Sequence, residues 1–266
     1  MEGRPVNGLV LVDKPSGPSS FAVVKSLRDR YYGVKAGHAG TLDPLASGLL
    51  LCLLGPATRL ARYLVGLDKR YMTEVHLGVR TTTGDGEGDV LEKTSQATVG
   101  EIEALRGEVD LRIPQASAVK IEGTRAYELQ RRGVAVEMPV RRSTIHDLRV
   151  LSYEPPLVQL DLRVSSGTYV RAIADALGGH CRTLRRTAVG SFRVEDADEE
   201  RVLPPLAALP QLDEREVSDD EARLIRTGRP LPGPGEGPIA LWRGEGELVA
   251  VGRAEGGTIH PETVFP

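Results

Sequence analysis

The chain is read as an α+β protein with a small β-rich C-terminal appendage. Three observations carry this. Period-two and period-3.6 apolar segments are interleaved without the regular strand–helix–strand alternation of a doubly wound sheet. A short buried-strand run, Leu49–Leu54, is bounded by turn residues. Beyond residue 218 the pattern is dominated by short strands and Pro/Gly bends.

The elements follow in order. Gly8–Val12 is apolar and ends at Asp13-Lys14-Pro15-Ser16-Gly17, a turn. Ser20 then caps a helix reaching about Arg30, with Phe21, Val24 and Leu27 on its apolar face. A Gly-rich loop, Gly37–Pro44, leads into the strand 49–54, and 57–64 is a short helix. In 70–79, Tyr71, Thr73, Val75 and Leu77 alternate to one face of a strand. The acidic, Gly-rich 84–89 reads as a flexible loop, and 99–105 as a helix stopped by Gly107. Strands at 144–151 and 157–164 flank Pro155-Pro156. Thr168 opens a helix with Val170, Ile173, Ala174 and Leu177 on one face, ended by Gly178-Gly179. A helix at 219–227 and strands near 239–242 and 247–252 complete the chain. The expected division is a body over 1–200, an acidic Pro-containing linker over 201–217 and a small domain over 218–266.

Composition narrows the function classes. The chain has 266 residues, 40% hydrophobic and 27% charged, which suits a folded globular protein. Its longest apolar run, six residues, is far short of a membrane span. With no signal-peptide pattern at the start, the expectation is a cytoplasmic protein without membrane association. Two cysteines and scattered histidines give neither a disulfide framework nor a metal-ligand spacing. The net charge of −3 conceals a division: residues 195–221 carry eleven acids against two arginines, so 1–194 carry a net +6. Arg125, Arg131, Arg132, Arg141, Arg142 and Arg149 form one basic run, and Arg182, Arg185, Arg186 and Arg193 another. A basic body with clustered arginine fits a polyanion. Neither a phosphate-binding P-loop nor a nucleophile elbow is present, and 84–89 lacks the spacing of a calcium loop.

Three segments can carry chemistry. In GHAGTLDPLASG (37–48), His38 and Asp43 share a loop, and Pro44 forces Asp43 into an extended backbone. In Gly167-Thr168-Tyr169-Val170-Arg171, an arginine falls in a first helical turn, against the helix dipole, so an anion should compensate it. In Lys69-Arg70-Tyr71, a tyrosine opening a strand can serve as a stacking platform.

Together and in this order, these segments resemble the TruB-type tRNA pseudouridine synthases. GHAGTLDPLASG resembles the family's G-H-x-G-x-L-D-P-x-A-x-G signature. The likeness continues through Val12-Asp13-Lys14-Pro15, Lys69-Arg70-Tyr71, Leu77-Gly78 with Thr81, Thr83 and Asp85, Ser117-Ala118-Val119-Lys120 and Gly167–Arg171, covering residues 8 to about 193. The resemblance implies a catalytic domain built on a mixed, largely antiparallel sheet, with an RNA-binding-like C-terminal domain. It implies a stand-alone monomer that isomerises uridine 55 in the T loop of tRNA, without cofactor, metal or obligate protein partner. By family match Asp43 is the nucleophile, Arg171 its partner and Tyr169 a candidate for the proton step at C5. Tyr71 stacks on the flipped uracil, and His38 fills the space it vacates. Lys14, Lys69 and Lys120 lie near the cleft or phosphates, and Asp85 lies in a segment that orders over the T arm. One departure is Pro114-Gln115-Ala116, where relatives more often carry a second proline and an aromatic. The competing readings are a guide-RNA-dependent synthase subunit, disfavoured by the short C-terminus, and a non-catalytic tRNA-binding or folding protein. A retaining glycosidase ranks last, since no second acid stands beside Asp43.

Overall fold

A computed structural model describes residues 6–134 and 136–266. They form two compact units. One comprises the residues up to Pro44, Leu49–Val65 and Gly190–Pro266; the other comprises Leu45–Gly48 and Gly66–Val189.

The first unit opens with β1 (Gly8–Lys14), α1 (Ser20–Arg30), β2 (Ala36–His38) and β3 (Ser47–Leu54). A 3-10 turn over Gly55–Leu60 then runs into α2 (Ala61–Leu64). The expected helix at 57–64 is thus split, because Pro56 sits in the first turn and favours the tighter winding there. Leu49–Leu54 are fully buried, as a continuous apolar run requires. Helix α1 departs from the sequence reading in its register. Ser19, not Ser20, is the cap, accepting from Ala22 N at 3.2 Å. The buried face is Ser20, Val24 and Leu27, and Phe21 is 75% exposed. Ser20 lies inside because its hydroxyl is used by a segment distant in sequence.

The second unit is built on an antiparallel sheet whose strands, in spatial order, are Gly179–Val189, Lys69–Leu77, Leu157–Val164, Val140–Glu154 and Gly107–Arg112. In chain order it contains β4 (Lys69–Leu77), the hairpin β5 (Val79–Thr81)–β6 (Val90–Lys93), α3 (Val99–Glu103) and β7 (Gly107–Arg112). The hairpin β8 (Lys120–Ile121)–β9 (Thr124–Arg125), α4 (Ala126–Arg131), β10 (Val140–Glu154), β11 (Leu157–Val164), α5 (Val170–Ala176) and β12 (Gly179–Val189) follow. Tyr71, Thr73, Val75 and Leu77 all point inward from β4. Strand β10 is longer than its apolar pattern suggests because its two halves have different partners, β7 for Val140–Ile145 and β11 beyond. Helix α5 begins later than expected, with Tyr169 as its cap residue. Strand β12 pairs antiparallel with β4, and parallel with Ser47 and Gly48. Gly48 is required there: at φ +101°, a Cβ would lie 2.2 Å from Arg186 O.

The chain then returns to the first unit through β13 (Phe192–Arg193) and β14 (Asp198–Leu203), the latter antiparallel to β1. The stretch expected as a linker holds the end of β14, a 3-10 turn at Pro205–Ala208 and β15 (Asp213–Glu216). Helix α6 (Asp219–Arg226) carries a Ser218–Glu221 capping box. A five-stranded sheet, β15-β17-β18-β19-β16, is made with β16 (Leu231–Pro232), β17 (Gly237–Arg243), β18 (Glu247–Glu255) and β19 (Thr258–Val264). Its core includes Val217, Ile225, Leu241, Val249 and Ile259. Strand β19 carries little sequence signal, since His260, Pro261 and Glu262 interrupt its apolar pattern. Within the same unit, the Arg59 guanidinium stacks 4.7 Å above the Phe265 ring. Gln211 Nε2 donates to Tyr63 O at 3.1 Å.

Candidate active site

Asp43 is held on a main chain pinned on both sides. Ahead of it, Ser20 Oγ accepts from Leu42 N at 2.8 Å and donates to Leu42 O at 2.9 Å. Behind it, Pro44 O accepts from Gly17 N at 2.8 Å and from Lys14 Nζ at 3.3 Å. Lys14 is completely buried, and its ammonium also donates to Pro15 O at 2.9 Å and Pro18 O at 2.7 Å. The Asp43 side chain itself is half-buried. The turn Asp13–Gly17, the first turn of α1 and the Asp43 loop are therefore one hydrogen-bonded assembly. Lys14, expected near the cleft or phosphates, lies inside the protein beside the Asp43 loop, where its ammonium donates to main-chain carbonyls. His38, half-buried, ends β2 opposite Cys52 of β3.

Losing the Ser20 hydroxyl leaves a buried N–H and a buried carbonyl without partners. Ser20→Ala is expected to cost about 1–3 kcal/mol of stability and to lower turnover more than RNA affinity. Urea unfolding together with steady-state kinetics checks this.

In the second unit, Tyr71 is buried on β4 opposite Leu162 and Arg186. Lys69, two residues earlier, faces the same way and is 6% exposed. Its Nζ donates to Leu67 O at 2.6 Å and to Ser166 Oγ at 3.1 Å. Lys69 thus ties β4 to the turn from which Tyr169 and Arg171 emerge. Burial, reinforced by the Arg186 charge and opposed by Asp68, lowers the Lys69 pKa to about 8. Between pH 8 and 10.5 the unfolded chain keeps a proton that the folded chain has lost, so Lys69 burial becomes less costly as pH rises. Urea unfolding at pH 7.5 and at pH 9.5 is expected to show wild type gaining stability relative to Lys69→Met at the higher pH.

Arg171 is 2% exposed. One guanidinium nitrogen donates to Thr83 O at 2.5 Å and the other to Ala116 O at 2.8 Å. It thereby joins α5 to two loops, and Gly84 packs its main chain against the Arg171 side chain. A cavity of about 210 Å³ lies beside this fork, bordered by Thr83, Gly84, Pro114, Gln115 and Arg171. Tyr169 packs against the apolar cluster of Ile113, Ala126 and Met138. Lys120 is exposed on β8, paired with Arg125 of β9.

The 84–89 loop is more ordered at its start than its composition suggests. Asp85 is buried, and its carboxylate accepts from Thr83 Oγ1 at 2.5 Å and from Glu87 N at 3.1 Å. Its carbonyl accepts from Thr81 Oγ1 at 2.6 Å, and Cys181 N donates to Gly84 O at 3.0 Å. Asp85 braces the loop from within.

The two basic runs differ. Arg125, Arg131, Arg132, Arg141 and Arg142 are exposed; Arg142 pairs with Glu108, and Arg149 lies 3.2 Å from Asp147. In the other run Arg186 is 1% exposed, so this charge belongs to the interior. Sequence reasoning did not mark Ser20 as a support of the Asp43 loop, nor Ser166 and Arg186 as neighbours of Lys69. No local pattern marks them, because each acts on residues far away in the chain.

The sequence pattern of the TruB family pseudouridylate synthases (N-terminal domain) matches residues 28–170. A "tRNA pseudouridine synthase B" of Thermobifida fusca (strain YX) is 39% identical, over 97% of this chain and 98% of that protein. One of Azoarcus sp. (strain BH72), bearing the same name, is 36% identical over 98% and 96%. Among solved structures, a chain in a Cbf5-Nop10-Gar1 complex superposes with a TM-score of 0.72 at 26% identity, covering 97% of this chain and 85% of that one. A chain of an H/ACA RNP bound to a substrate RNA containing 2'-deoxyuridine gives the same TM-score at 24% identity and attests to the fold.

Proposed function

The chain belongs to the TruB family of pseudouridylate synthases, and from that premise we propose that it isomerises uridine 55 in the T loop of tRNA. As a family member it is an isomerase acting on tRNA. The observation that carries the finer reading is the twice-pinned main chain around Asp43, which preorganises one carboxylate.

In the reaction the N1–C1′ bond breaks, the uracil rotates and C5 bonds to C1′. The C5 proton is lost and N1 gains one, so no atom or electron is added or removed. Asp43 acts at the sugar, either attacking C1′ or removing a sugar proton on a glycal route. By the family match, Arg171 is assigned as the partner of that carboxylate. Its two bonds to Thr83 O and Ala116 O hold the guanidinium still. Tyr71 stacks on the extruded base, Tyr169 serves the proton step at C5, and His38 occupies the vacated space. Lys69 positions the Ser166 turn rather than a phosphate. Lys120 and the exposed arginines of 125–142 meet the A-form backbone. Residues 218–266 add a small RNA-binding module. The enzyme works alone, as a cytoplasmic monomer without cofactor. Among the described residues no helix is long and apolar enough to cross a membrane.

The relatives' name favours this reading over a guide-dependent subunit. The test is an unmodified tRNA transcript in which only uridine 55 is replaced by cytidine. Wild-type transcript should be converted to one pseudouridine per molecule and the substituted one to none. Equal conversion of both would refute the site assignment.

A further inference from the structure

We infer that the outer face of α1, formed by Phe21, Lys25, Arg28 and, just past the helix, Tyr32, is a track for the RNA strand flanking the target uridine. The inference rests on the proposed function.

Phe21, Lys25 and Arg28 are spaced i, i+4 and i+7, which places them in line on one helix face, and Tyr32 follows past the cap residue Tyr31 in a left-handed backbone conformation, φ 55°. Phe21 is 75% exposed and Tyr32 97% exposed. Lys25 and Arg28 are exposed and form no ion pair among the described residues. The nearby acidic stretch is met on another face: Arg30 lies 3.5 Å from Glu199, and Tyr31 Oη donates to Glu199 O at 2.9 Å. A large aromatic left in water forgoes the stabilisation of burial. One such residue is ordinary. Two exposed aromatics bracketing two cations, one at the start of the helix and one just past its end, form a set suited to stacking on bases while meeting phosphates. A protein partner would require a broader apolar patch, but the flanking Ala22, Ser26 and Asp29 are small or polar.

The position of the stripe supports the assignment. Ser20, next to Phe21, is bonded in both directions to Leu42, the residue before Asp43. The stripe therefore begins at the catalytic loop and leads away from it for roughly 10 Å between Phe21 and Arg28. An RNA with its target base at Asp43 has its neighbouring nucleotides within reach of this face.

The test uses the full chain and an unmodified tRNA transcript, with Lys25→Gln/Arg28→Gln and Phe21→Ala/Tyr32→Ala as separate double variants. Circular dichroism and thermal melting verify the fold, which these exposed positions should leave intact. The cation variant is expected to weaken RNA binding and lower its salt dependence by roughly 1.5 units of slope. The aromatic variant should weaken binding at least about fivefold, the loss of one stacked base, with the salt slope kept. In both, turnover at saturating RNA should remain at the wild-type level. If wild type isomerises the transcript and both variants bind it like wild type, the track is wrong and the proposed function stands. If wild type binds without isomerising and both variants are weakened, the track stands and the proposed function falls.

Discussion

Asp43→Asn is expected to reduce turnover by about 10⁴-fold or more, with RNA affinity kept within about threefold. The geometry explains why so small a change should act on chemistry alone. The clamps on this loop grip the main chain of Leu42 and Pro44, through Ser20, Gly17 and Lys14. They are indifferent to what the residue between them carries. Asparagine keeps the shape and the extended backbone set by Pro44, but it supplies neither a nucleophile nor a base. Single-turnover kinetics and filter binding on the same protein separate the two quantities. A parallel loss of affinity would mean that the carboxylate organises the RNA site rather than the reaction.

Arg171→Lys should be nearly as damaging, with turnover falling about 10²- to 10³-fold and affinity changing little. The guanidinium reaches Thr83 O and Ala116 O with two different nitrogens while remaining 2% exposed. A lysine concentrates its donors on one atom and cannot span both carbonyls. One buried carbonyl is then left unpaired, at about 1–3 kcal/mol of stability. The positive charge survives but is no longer held in place. A defect confined to affinity would remove Arg171 from the reaction. Unfolding measured alongside turnover tells displacement of the charge from collapse of the loops, since collapse would abolish the cooperative transition.

The fold was legible where local pattern and tertiary environment agree. Strand β4 alternates because one of its faces is buried, and Leu49–Leu54 is uniformly apolar because β3 is enclosed. Pattern failed where a polar side chain answers to a distant partner. Ser20 looks like a cap, yet its hydroxyl bonds Leu42 in both directions and lies inside, while Phe21 faces outward. Lys14 and Arg186 look like surface cations in sequence, and both are buried. The 84–89 segment has the composition of a flexible loop, but Asp85 finds internal donors that ordinary turn signals do not reveal. In the candidate site, the motif residues named the chemistry. The residues that hold them rigid, Ser20 and Ser166, emerged only from the folded chain.

The most direct measurement is tritium release from an unmodified tRNA transcript labelled at C5 of its uridines. It would use the purified full chain, with EDTA present, beside Asp43→Asn. The account predicts release by wild type, reaching one equivalent per transcript, and none by the variant. Equal release by both proteins, or none by a wild type that binds the transcript tightly, would contradict a stand-alone synthase working through Asp43.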